Sequence, residues 1–547
     1  MARGEVTFKL VRNHLPSTHR FAVSRRGALQ GLSAATVLGF AACSGDAGGD
    51  GKAPSPGSTA AGGSPSPSPT AASTDWTTVP PALLPGIVEV TLSKDAEGKD
   101  VVTPRFPSAR NLTQAVEVVR NRILRQASWE SQEKVEIKGA LLAASRDAVG
   151  MVLQASFGSE QSAAPCMIWY DARKKQSFAS PELISASKWG EFAKAVHEAA
   201  AAAGLDAAKA DAALIEKSAP YGNGPAMAFN GDGAMVVAFR AGAVADTVAK
   251  VTVDATAWLS DFGRIARSAS LTPSEFSGEA SISITHFKPG ENHPAVTSSP
   301  NRPSDGSEPG EALPTPTPGG AVRPTTAIGF DGVVERCVAL TYDDGPGPKT
   351  PELLAAFQAA KAAATFFQMG NSIEQYPGTT LDVAVAGHEI GSHSVTHPNL
   401  ASKSRERVEE EVAGNSELLK KATGFEPLLF RPPYGSHNTM VDEIITSHGM
   451  AIVQWSVDTE DWKTRDTAST IGIAVRDGKT FTEPIVLMHD IHDSTVAAAE
   501  EIIHRLTEDG VQLVTVSELT LNTGGFFTGH AYCRGTGIEQ QGFGCDG

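Results

Sequence analysis

Two adjacent carboxylates, Asp343 and Asp344, directly follow an apolar segment and precede Gly345 and Pro346. Adjacent acids permit a division of labour, in which one carboxylate binds a cation and the other, close to that cation, serves as a base. An acidic turn that ends in Gly-Pro would have the same sequence. By itself, this pair leaves a catalytic and a structural interpretation equally open.

Two histidines, His393 and His397, are separated by three residues. One turn of the chain places two imidazoles on the same side, within reach of one ion. Pro398 disfavours helical conformation at His397, so we predict a turn there rather than a long helix. Histidines at this spacing are also common on protein surfaces, so the pair alone is a weak indication of a metal site. We interpret the nearby His388 as structural.

Three further segments place polar groups at the end of an apolar stretch. Arg431 is a fixed cation that can orient a carboxylate, and the rigid prolines after it can present the backbone N–H of Tyr434. Residues 458–462 (DTEDW) and His489 also follow apolar stretches. Any one of these segments has a structural explanation, but together they favour a shared site.

From residue 330 onward, predicted strands alternate with predicted helices. The strands are predicted at 334–342, 365–369, 389–392, 427–430, 451–455, 485–489 and 512–516, and the helices at 351–361, 380–386, 404–423 and 495–509. This alternation predicts a parallel sheet or barrel with helices outside it. The motifs above lie at the carboxyl-terminal ends of predicted strands, where chemistry is expected in such folds.

Residues 76–275 carry no comparable cluster of polar groups. Their strands are predicted at 83–92, 135–157, 167–170, 234–240 and 251–253, and their helices at 109–127 and 189–213. This mixture predicts an α+β accessory domain. Residues 43–75 and the proline-rich residues 276–326 cannot bury a core, so we predict a flexible tether and a linker. Residues 523–547 are rich in glycine, and we predict a tail there rather than core.

The first 42 residues are predicted to be an export signal. Arg25 and Arg26 precede a weakly apolar stretch that ends near Cys43, as in twin-arginine signals. The sequence Phe-Ala-Ala-Cys at 40–43 resembles a lipobox, with a plain secretory signal as the alternative. We therefore expect an exported protein, held at the outer face of the cell membrane by a lipid on Cys43, or otherwise secreted to the cell wall.

The overall composition argues against several classes of protein. At about 150 residues per domain, a chain of 547 residues predicts two to four domains. A formal net charge of −16 argues against a basic nucleic-acid binder. Five cysteines are too few for a disulfide-built scaffold. We expect Cys166 and Cys337 to be buried thiols and favour a pairing of Cys533 with Cys545.

Residues 330–520 resemble the polysaccharide deacetylases of carbohydrate esterase family 4, the NodB-homology domain. The five family motifs are present as TYDDGP, HSVTH, RPPYG, DTEDW and LMHD. Tyr342 stands where the family more often has Phe. The resemblance implies a deformed (β/α) barrel for residues 327–522. The predicted fold class is therefore α/β, with this barrel preceded by a separate α+β domain.

The resemblance also implies a divalent metal, most often Zn²⁺, with Co²⁺ or another ion as alternatives. Its implied ligands are Asp344, His393 and His397. The implied reaction is hydrolysis by metal-activated water, with Asp343 as the base that Arg431 orients. The set of two imidazoles and one carboxylate leaves open positions for water and substrate, which fits this chemistry.

The implied acid is His489, which protonates the leaving amine. Asp461 is its expected carboxylate partner, with Asp458 as a rival. A carboxylate beside the imidazole raises its pKa and keeps it protonated until the proton is needed. The implied substrate-binding residues are Tyr434, through its backbone N–H, and Trp462 and Leu487, as an apolar wall for the acetyl methyl group.

An exported, tethered enzyme of this family faces the cell wall, so we expect removal of N-acetyl groups from N-acetylglucosamine of peptidoglycan. Tyr434 is similar to the N-acetylglucosamine-type enzymes, whereas the muramic-acid branch usually carries Arg there. Chitin oligomers, an exopolysaccharide and xylan remain alternatives, as does a non-catalytic glycan-binding or sensing lipoprotein. The expected partner is a polysaccharide, with no nucleic acid and with membrane contact only by the lipid anchor.

Residues 76–270 are also weakly similar to an extracytoplasmic domain that accompanies some peptidoglycan deacetylases and occurs in a lysozyme-sensing anti-sigma factor. The similarity lies in the order of elements and in the short segment 219–225. It implies glycan binding, protein binding or simple spacing for this region.

Overall fold

The computed structural model describes residues 73–94, 99–131, 134–215, 225–278, 322–328, 336–481, 483–521, 525–526, 528, 531–535 and 537–538. The predicted export signal, Cys43 and residues 219–224 lie outside these ranges, as do most of the predicted tether and linker. Among the described helices, none has both the length and the apolar character that a membrane crossing requires. The described residues from 73 onward form one compact unit.

The described residues before the predicted linker have an α+β structure with two sheets. The larger sheet has the order β1-β2-β3-β4-β5-β6, and the smaller one is the antiparallel β7-β8-β9. The strands are β1 (Val88–Lys94), β2 (Lys99–Arg105), β3 (Val135–Ala144), β4 (Ala148–Phe157), β5 (Ser159–Asp171), β6 (Gln176–Phe178), β7 (Ala226–Phe229), β8 (Met235–Phe239) and β9 (Ala249–Val253). The helices are α1 (Arg110–Trp129), α2 (Trp189–Ala202), α3 (Ala207–Leu214) and α4 (Asp261–Leu271). Helix α1 is the crossover between the parallel strands β2 and β3.

The region after the linker alternates strands and helices, as its sequence predicts. Its strands are β10 (Cys337–Asp343), β11 (Thr365–Gln368), β12 (Glu389–Ser392), β13 (Leu429–Phe430), β14 (Ala451–Val453), β15 (Val457–Asp458), β16 (Ile485–His489), β17 (Gln512–Leu513), β18 (Ala531–Arg534) and β19 (Gly537–Ile538). Its helices are α5 (Thr350–Ala359), α6 (Gly370–Gln375), α7 (Pro377–Val385), α8 (Arg405–Thr423), α9 (Thr439–Ser447), α10 (Asp461–Thr464), α11 (Thr467–Thr480), α12 (Asp493–Glu508) and α13 (Val516–Leu521).

The strands of this region form a parallel sheet that curls into a deformed barrel. Its order is β15-β16-β10-β11-β12-β13-β14-β18, and each of these neighbouring pairs is parallel. In a flat sheet, β14 and β15 would lie about 29 Å apart, at about 4.8 Å per strand. The link from Val453 to Val457 can span only about 15 Å, so the sheet must curl to bring its two sides together.

The carboxyl-terminal segment differs from the predicted tail. Strand β18 pairs in parallel with β14, and Phe526 and Tyr532 are buried in the same apolar cluster as Leu429 and Val453. The prediction of a tail without core residues is therefore wrong for Phe526 and for the strand Ala531–Arg534. The high glycine content of the segment favours a prediction of irregular structure. The short strand β18 is buried because it pairs with β14, and the local sequence does not predict this pairing.

The α+β region packs against the amino-terminal ends of the barrel strands. Gly387 and Gly424 lie in the loops before β12 and β13 with φ of 78° and 85°. A Cβ atom at these positions would collide with the backbone carbonyl oxygens of Asn121 and Thr91, so only glycine allows this close approach. The α+β region therefore contacts the face opposite to the carboxyl-terminal strand ends. That it is a separate domain stays a prediction.

A buried ion pair crosses this contact. Arg125 of α1 donates to the Glu518 carboxylate at 2.5 Å and to the Gly387 carbonyl at 2.7 Å, and Arg122 donates to Glu518 at 2.9 Å. Burial alone would raise the pKa of Glu518, but the two arginines outweigh it and lower that pKa to about 2. The ionised pair is the stable state over the physiological pH range.

Replacing Arg125 by Met is expected to lower the free energy of unfolding by about 3–5 kcal/mol, because Glu518 would lose its fully buried counter-charge. Urea denaturation measures this loss. Arg146→Met is the matched control, since the Arg146 side chain is 86% exposed beside Asp147 and its removal should cost less than about 1 kcal/mol. Equal small losses in both variants would show that the buried pair adds no stability.

Candidate active site

The predicted site residues converge at the carboxyl-terminal ends of the barrel strands. Asp343 ends β10 and lies in register with His489, which ends β16. His393 follows β12, and Arg431 follows its neighbour β13. Because parallel strands end at the same edge of a sheet, residues that are far apart in sequence line one mouth.

Asp344, His393 and His397 form a cluster that suits a divalent cation. Their ligand atoms all lie within 4.8 Å of one another. Asp344 Oδ1 lies 3.5 Å from His393 Nε2 and 3.4 Å from His397 Nε2. This oxygen is buried and has no hydrogen-bond partner among the described residues. An orphaned carboxylate oxygen facing two imidazole nitrogens fits a metal site with open positions, but several divalent ions accept this ligand set.

The surroundings of His393 orient its ring for binding. Its Nδ1 lies 2.7 Å from the Arg431 carbonyl oxygen. Because a carbonyl can only accept, Nδ1 carries the proton and Nε2 presents its lone pair towards Asp344. Burial lowers the pKa of His393 to about 3, so the ring is neutral, as a metal ligand must be.

Asp343 and Arg431 form a buried pair at the base of the site. Arg431 is fully buried and donates to Asp343 Oδ1 at 2.7 Å and to the Thr341 hydroxyl at 2.8 Å. The guanidinium also lies 4.0 Å from the centroid of the Phe367 ring. The other carboxylate oxygen, Asp343 Oδ2, lies 3.7 Å from His393 Nε2 and so faces the ligand cluster. Burial raises the pKa of Asp343, and Arg431 partly offsets this.

His489 and Asp461 form a second pair on the other side of the mouth. His489 Nδ1 lies 2.8 Å from Asp461 Oδ1, and its backbone N–H donates to Asp461 Oδ2 at 2.8 Å. Thr495 also donates to Oδ2, at 2.6 Å. Burial would lower the pKa of His489, but Asp461, with smaller contributions from Asp343 and Asp344, raises it to about 9. The ring is therefore protonated at neutral pH.

The rival carboxylate, Asp458, has a different role in the structure. Its Oδ1 accepts the backbone N–H of Glu460 at 2.8 Å, in the turn that leads into α10. Of the two candidates named from the sequence, Asp461 is the one hydrogen-bonded to His489. Asp458 ends β15 and Asp461 lies three residues later, so their positions in the sequence alone could not distinguish them.

The predicted substrate-binding residues lie around the same mouth. Tyr434 is 68% exposed, and its ring packs edge-on against His397 with centroids 4.5 Å apart. Its φ of 61° is left-handed, which is strained for an aromatic residue and is typical of functional sites. Trp462 is 48% exposed, whereas Leu487 is buried in β16. Their contacts with an acetyl group stay predictions.

His388 is structural, as predicted, and Tyr342 is structural too. The buried His388 accepts the backbone N–H of Ala364 at 3.2 Å through Nδ1. Burial lowers its pKa to about 3, which keeps it neutral. Tyr342 is buried, and its ring packs against Phe357 and Phe366. Cys166 and Cys337 are buried, also as predicted. Cys533 is disulfide-bonded, while Cys545 lies outside the described residues.

Two buried carboxylates near the site were not assigned a role from the sequence. Asp490 accepts the Thr350 hydroxyl at 2.5 Å and lies against Gly345, leaving no room for a Cβ there. Glu411 of α8 bonds to the loop that carries the two histidines. Asp490 follows His489 in the fifth motif, which was a usable signal. Glu411 lies in a charged helix beside Glu409 and Glu410, where nothing local distinguishes it.

Comparison with known proteins identifies the relatives of this chain. The family described as polysaccharide deacetylase matches residues 331–453. The chain is 38% identical over 189 residues to a peptidoglycan-N-acetylmuramic acid deacetylase, PdaC, of Bacillus subtilis, covering 34% of this chain and 39% of that protein. It is 41% identical over 183 residues to a peptidoglycan-N-acetylglucosamine deacetylase, PgdA, of Listeria monocytogenes, covering 33% and 38%. The match thus spans about two fifths of each of these relatives.

A smaller relative is matched over most of its length. The chain is 37% identical over 191 residues to a peptidoglycan-N-acetylglucosamine deacetylase of Bacillus cereus, covering 34% of this chain and 88% of that protein. By this similarity, together with the ligand cluster and the two carboxylate pairs at the barrel mouth, the chain belongs to the polysaccharide deacetylases of carbohydrate esterase family 4.

Proposed function

We propose that the protein is a metal-dependent hydrolase that removes N-acetyl groups from a cell-wall polysaccharide, with N-acetylglucosamine of peptidoglycan as its substrate. The observation that carries the proposal is the meeting of three components at one barrel mouth. These are the ligand cluster, the Asp343–Arg431 pair and the Asp461–His489 pair. Amide hydrolysis is promoted by a Lewis acid, a general base and a general acid. The ligand cluster would hold the Lewis acid, and the two pairs would supply the base and the acid.

A divalent ion held by Asp344, His393 and His397 would supply Lewis acidity and lower the pKa of a water molecule towards about 7. Asp343 would accept a proton from the attacking water through Oδ2, because Oδ1 is held by Arg431. The backbone N–H of Tyr434 would donate to the developing oxyanion. These groups reach the mouth from the ends of β10, β12 and β13.

His489 would protonate the leaving nitrogen of the sugar. Its raised pKa keeps the proton in place at neutral pH, and Asp461 stabilises the imidazolium. Trp462 and Leu487 would contact the acetyl methyl group. The products would be acetate and a free amine on the glycan.

The choice of sugar rests on the barrel mouth and on the names of the relatives. The names include both N-acetylglucosamine and N-acetylmuramic acid deacetylases of peptidoglycan. Tyr434 at the rim, rather than an arginine, favours N-acetylglucosamine. Chitin oligomers, an exopolysaccharide and xylan are the competing substrates.

We also propose that the protein is exported and anchored by a lipid on Cys43, because Arg25, Arg26 and the lipobox-like residues 40–43 precede a tether-like composition. Labelled palmitate should be incorporated into the full chain and not into Cys43→Ala. Equal labelling of both would contradict the anchor.

The decisive experiment measures acetate release from purified peptidoglycan and from chitin oligomers, with and without a chelator. Release that the chelator abolishes, and that added Zn²⁺ or Co²⁺ restores, supports a metal-dependent deacetylase. The preferred glycan then names the substrate. No release from any glycan after metal reloading, with the glycan still bound, would instead indicate a glycan-binding lipoprotein.

The Asp461–His489 pair has a pH signature. His489 must be protonated to act as an acid, so activity should fall as pH rises above about 9, its raised pKa. In Asp461→Asn the main cause of the raised pKa is removed while burial, which lowers it, remains. The alkaline limb of the profile of kcat/KM against pH should therefore move to lower pH. An unchanged limb would mean that His489 does not set it.

A further inference from the structure

Glu411 is fully buried in α8 and takes no part in the proposed reaction. Its carboxylate oxygen Oε2 accepts two backbone N–H groups, from Val395 and Thr396, both at 2.8 Å. These two residues lie between His393 and His397. The carboxylate therefore holds the backbone that connects the two histidine ligands.

The other oxygen of this carboxylate is also paired. Oε1 accepts the Thr396 hydroxyl and a guanidinium N–H of Arg407. A buried carboxylate is unfavourable unless its lone pairs are satisfied, and here four donors satisfy it. Three of the four donors belong to the histidine loop, so the stability of the buried charge depends on the conformation of that loop.

The loop needs such support because its backbone is strained. Ser394 and His397 have left-handed φ values of 64° and 57°, which are unfavourable for non-glycine residues. The N–H groups of Gly370 and Asn371 donate to the carbonyls of Ser394 and Val395, at 3.0 and 3.1 Å. These bonds hold the carbonyl groups of the loop, while Glu411 holds two of its N–H groups.

Helix α8 is itself tied to the strands that lead into the site. One turn after Glu411, the buried Asn415 donates to the Ser392 hydroxyl at 2.8 Å and to the Gln368 carbonyl at 2.9 Å. Ser392 immediately precedes His393. These bonds fix the position of α8 relative to the strands. Glu411, on the same helix, in turn fixes the position of the histidine loop.

We propose that Glu411 is a positioning residue that sets the separation of His393 Nε2 and His397 Nε2, and thereby the affinity for the divalent ion. This inference rests on the metal site of the proposed function. Groups that orient metal ligands through hydrogen bonds typically contribute a factor of about 10–100 to metal affinity.

The test compares Glu411→Gln with Glu410→Gln in the full chain. Glu410 is the adjacent residue, is 67% exposed and also bonds to Arg407, so both variants remove one carboxylate from the same helix and one partner from the same arginine. The readout is the Zn²⁺ dissociation constant, measured by competition with a chromogenic chelator. We expect weakening of about 10–100-fold for Glu411→Gln and a change below about twofold for Glu410→Gln.

Thr396→Val keeps the test falsifiable if Glu411→Gln fails to fold. Thr396 is exposed, so the fold tolerates the change, and the variant removes one loop donor to Glu411. We expect Zn²⁺ binding at least about threefold weaker, from the loss of one hydrogen bond to a charged acceptor, with kcat restored at saturating Zn²⁺. Unchanged Zn²⁺ affinity in the folded variants would overturn the inference. Failure of the wild-type chain to bind any divalent ion would instead overturn the proposed function.

Discussion

Replacing Asp343 by Asn is expected to lower kcat for N-deacetylation by about 10²–10⁴-fold, the usual contribution of a general base. Asn keeps the size of the side chain and can still accept from Arg431, so the change removes the proton acceptor with little change in shape. Because Asp343 is not one of the three clustered ligands, the variant should still bind the metal. Acetate release at matched metal content measures the effect.

A second effect of Asp343→Asn must be separated from the first. Arg431 is fully buried and would lose its charge partner, which costs about 3–5 kcal/mol of unfolding free energy. Thermal denaturation of the metal-loaded protein shows whether the assay is run on folded enzyme. Activity within about tenfold of wild type, in folded and loaded protein, would show that the base is another group.

Replacing His489 by Gln is expected to lower kcat on N-acetylated glycan by a similar factor, about 10²–10⁴. The reason is specific to the leaving group. An amine must be protonated as it departs, whereas 4-nitrophenolate leaves without a proton. The loss should therefore be much smaller on 4-nitrophenyl acetate.

The two substrates together separate the two roles. Asp343→Asn should lose activity on both, because each requires an activated water. His489→Gln should lose activity mainly on the amide. Equal losses of His489→Gln on both substrates would contradict the assignment of His489 as the acid and would indicate a role in positioning the substrate.

The residue types of the motifs predicted the groups of the candidate site, and the structure brings these residues to one edge of the sheet. Asp343, His393, Arg431 and His489 lie at the ends of strands that the sequence predicts or directly after them, and parallel strands end at one edge of a sheet. Strand β12 has the predicted bounds, and α8 begins one residue later than predicted. Burial of every residue of β10 explains why its first four residues, 337–340, are all apolar.

Other features depend on contacts between distant residues. Helices α9 and α11 were not predicted, and the single helix predicted at 189–213 is two helices, α2 and α3. The sequence predicts a tail where β18 lies, because the strand has few apolar side chains. These side chains are buried only because β18 pairs with β14. Short elements of this kind are decided by the neighbours that cover them.

The sequence by itself determined which chemical groups are available. Carboxylates, imidazoles and a guanidinium have the same chemistry in any arrangement that brings the strand ends together. Only the tertiary structure decided which groups form pairs. It joined Asp461 rather than Asp458 to His489, and it buried Glu411 beneath the histidine loop while leaving Glu410 exposed. Hydrogen bonds and burial act over a few ångströms in space, and these distances between residues far apart in sequence exist only once the sheet has curled.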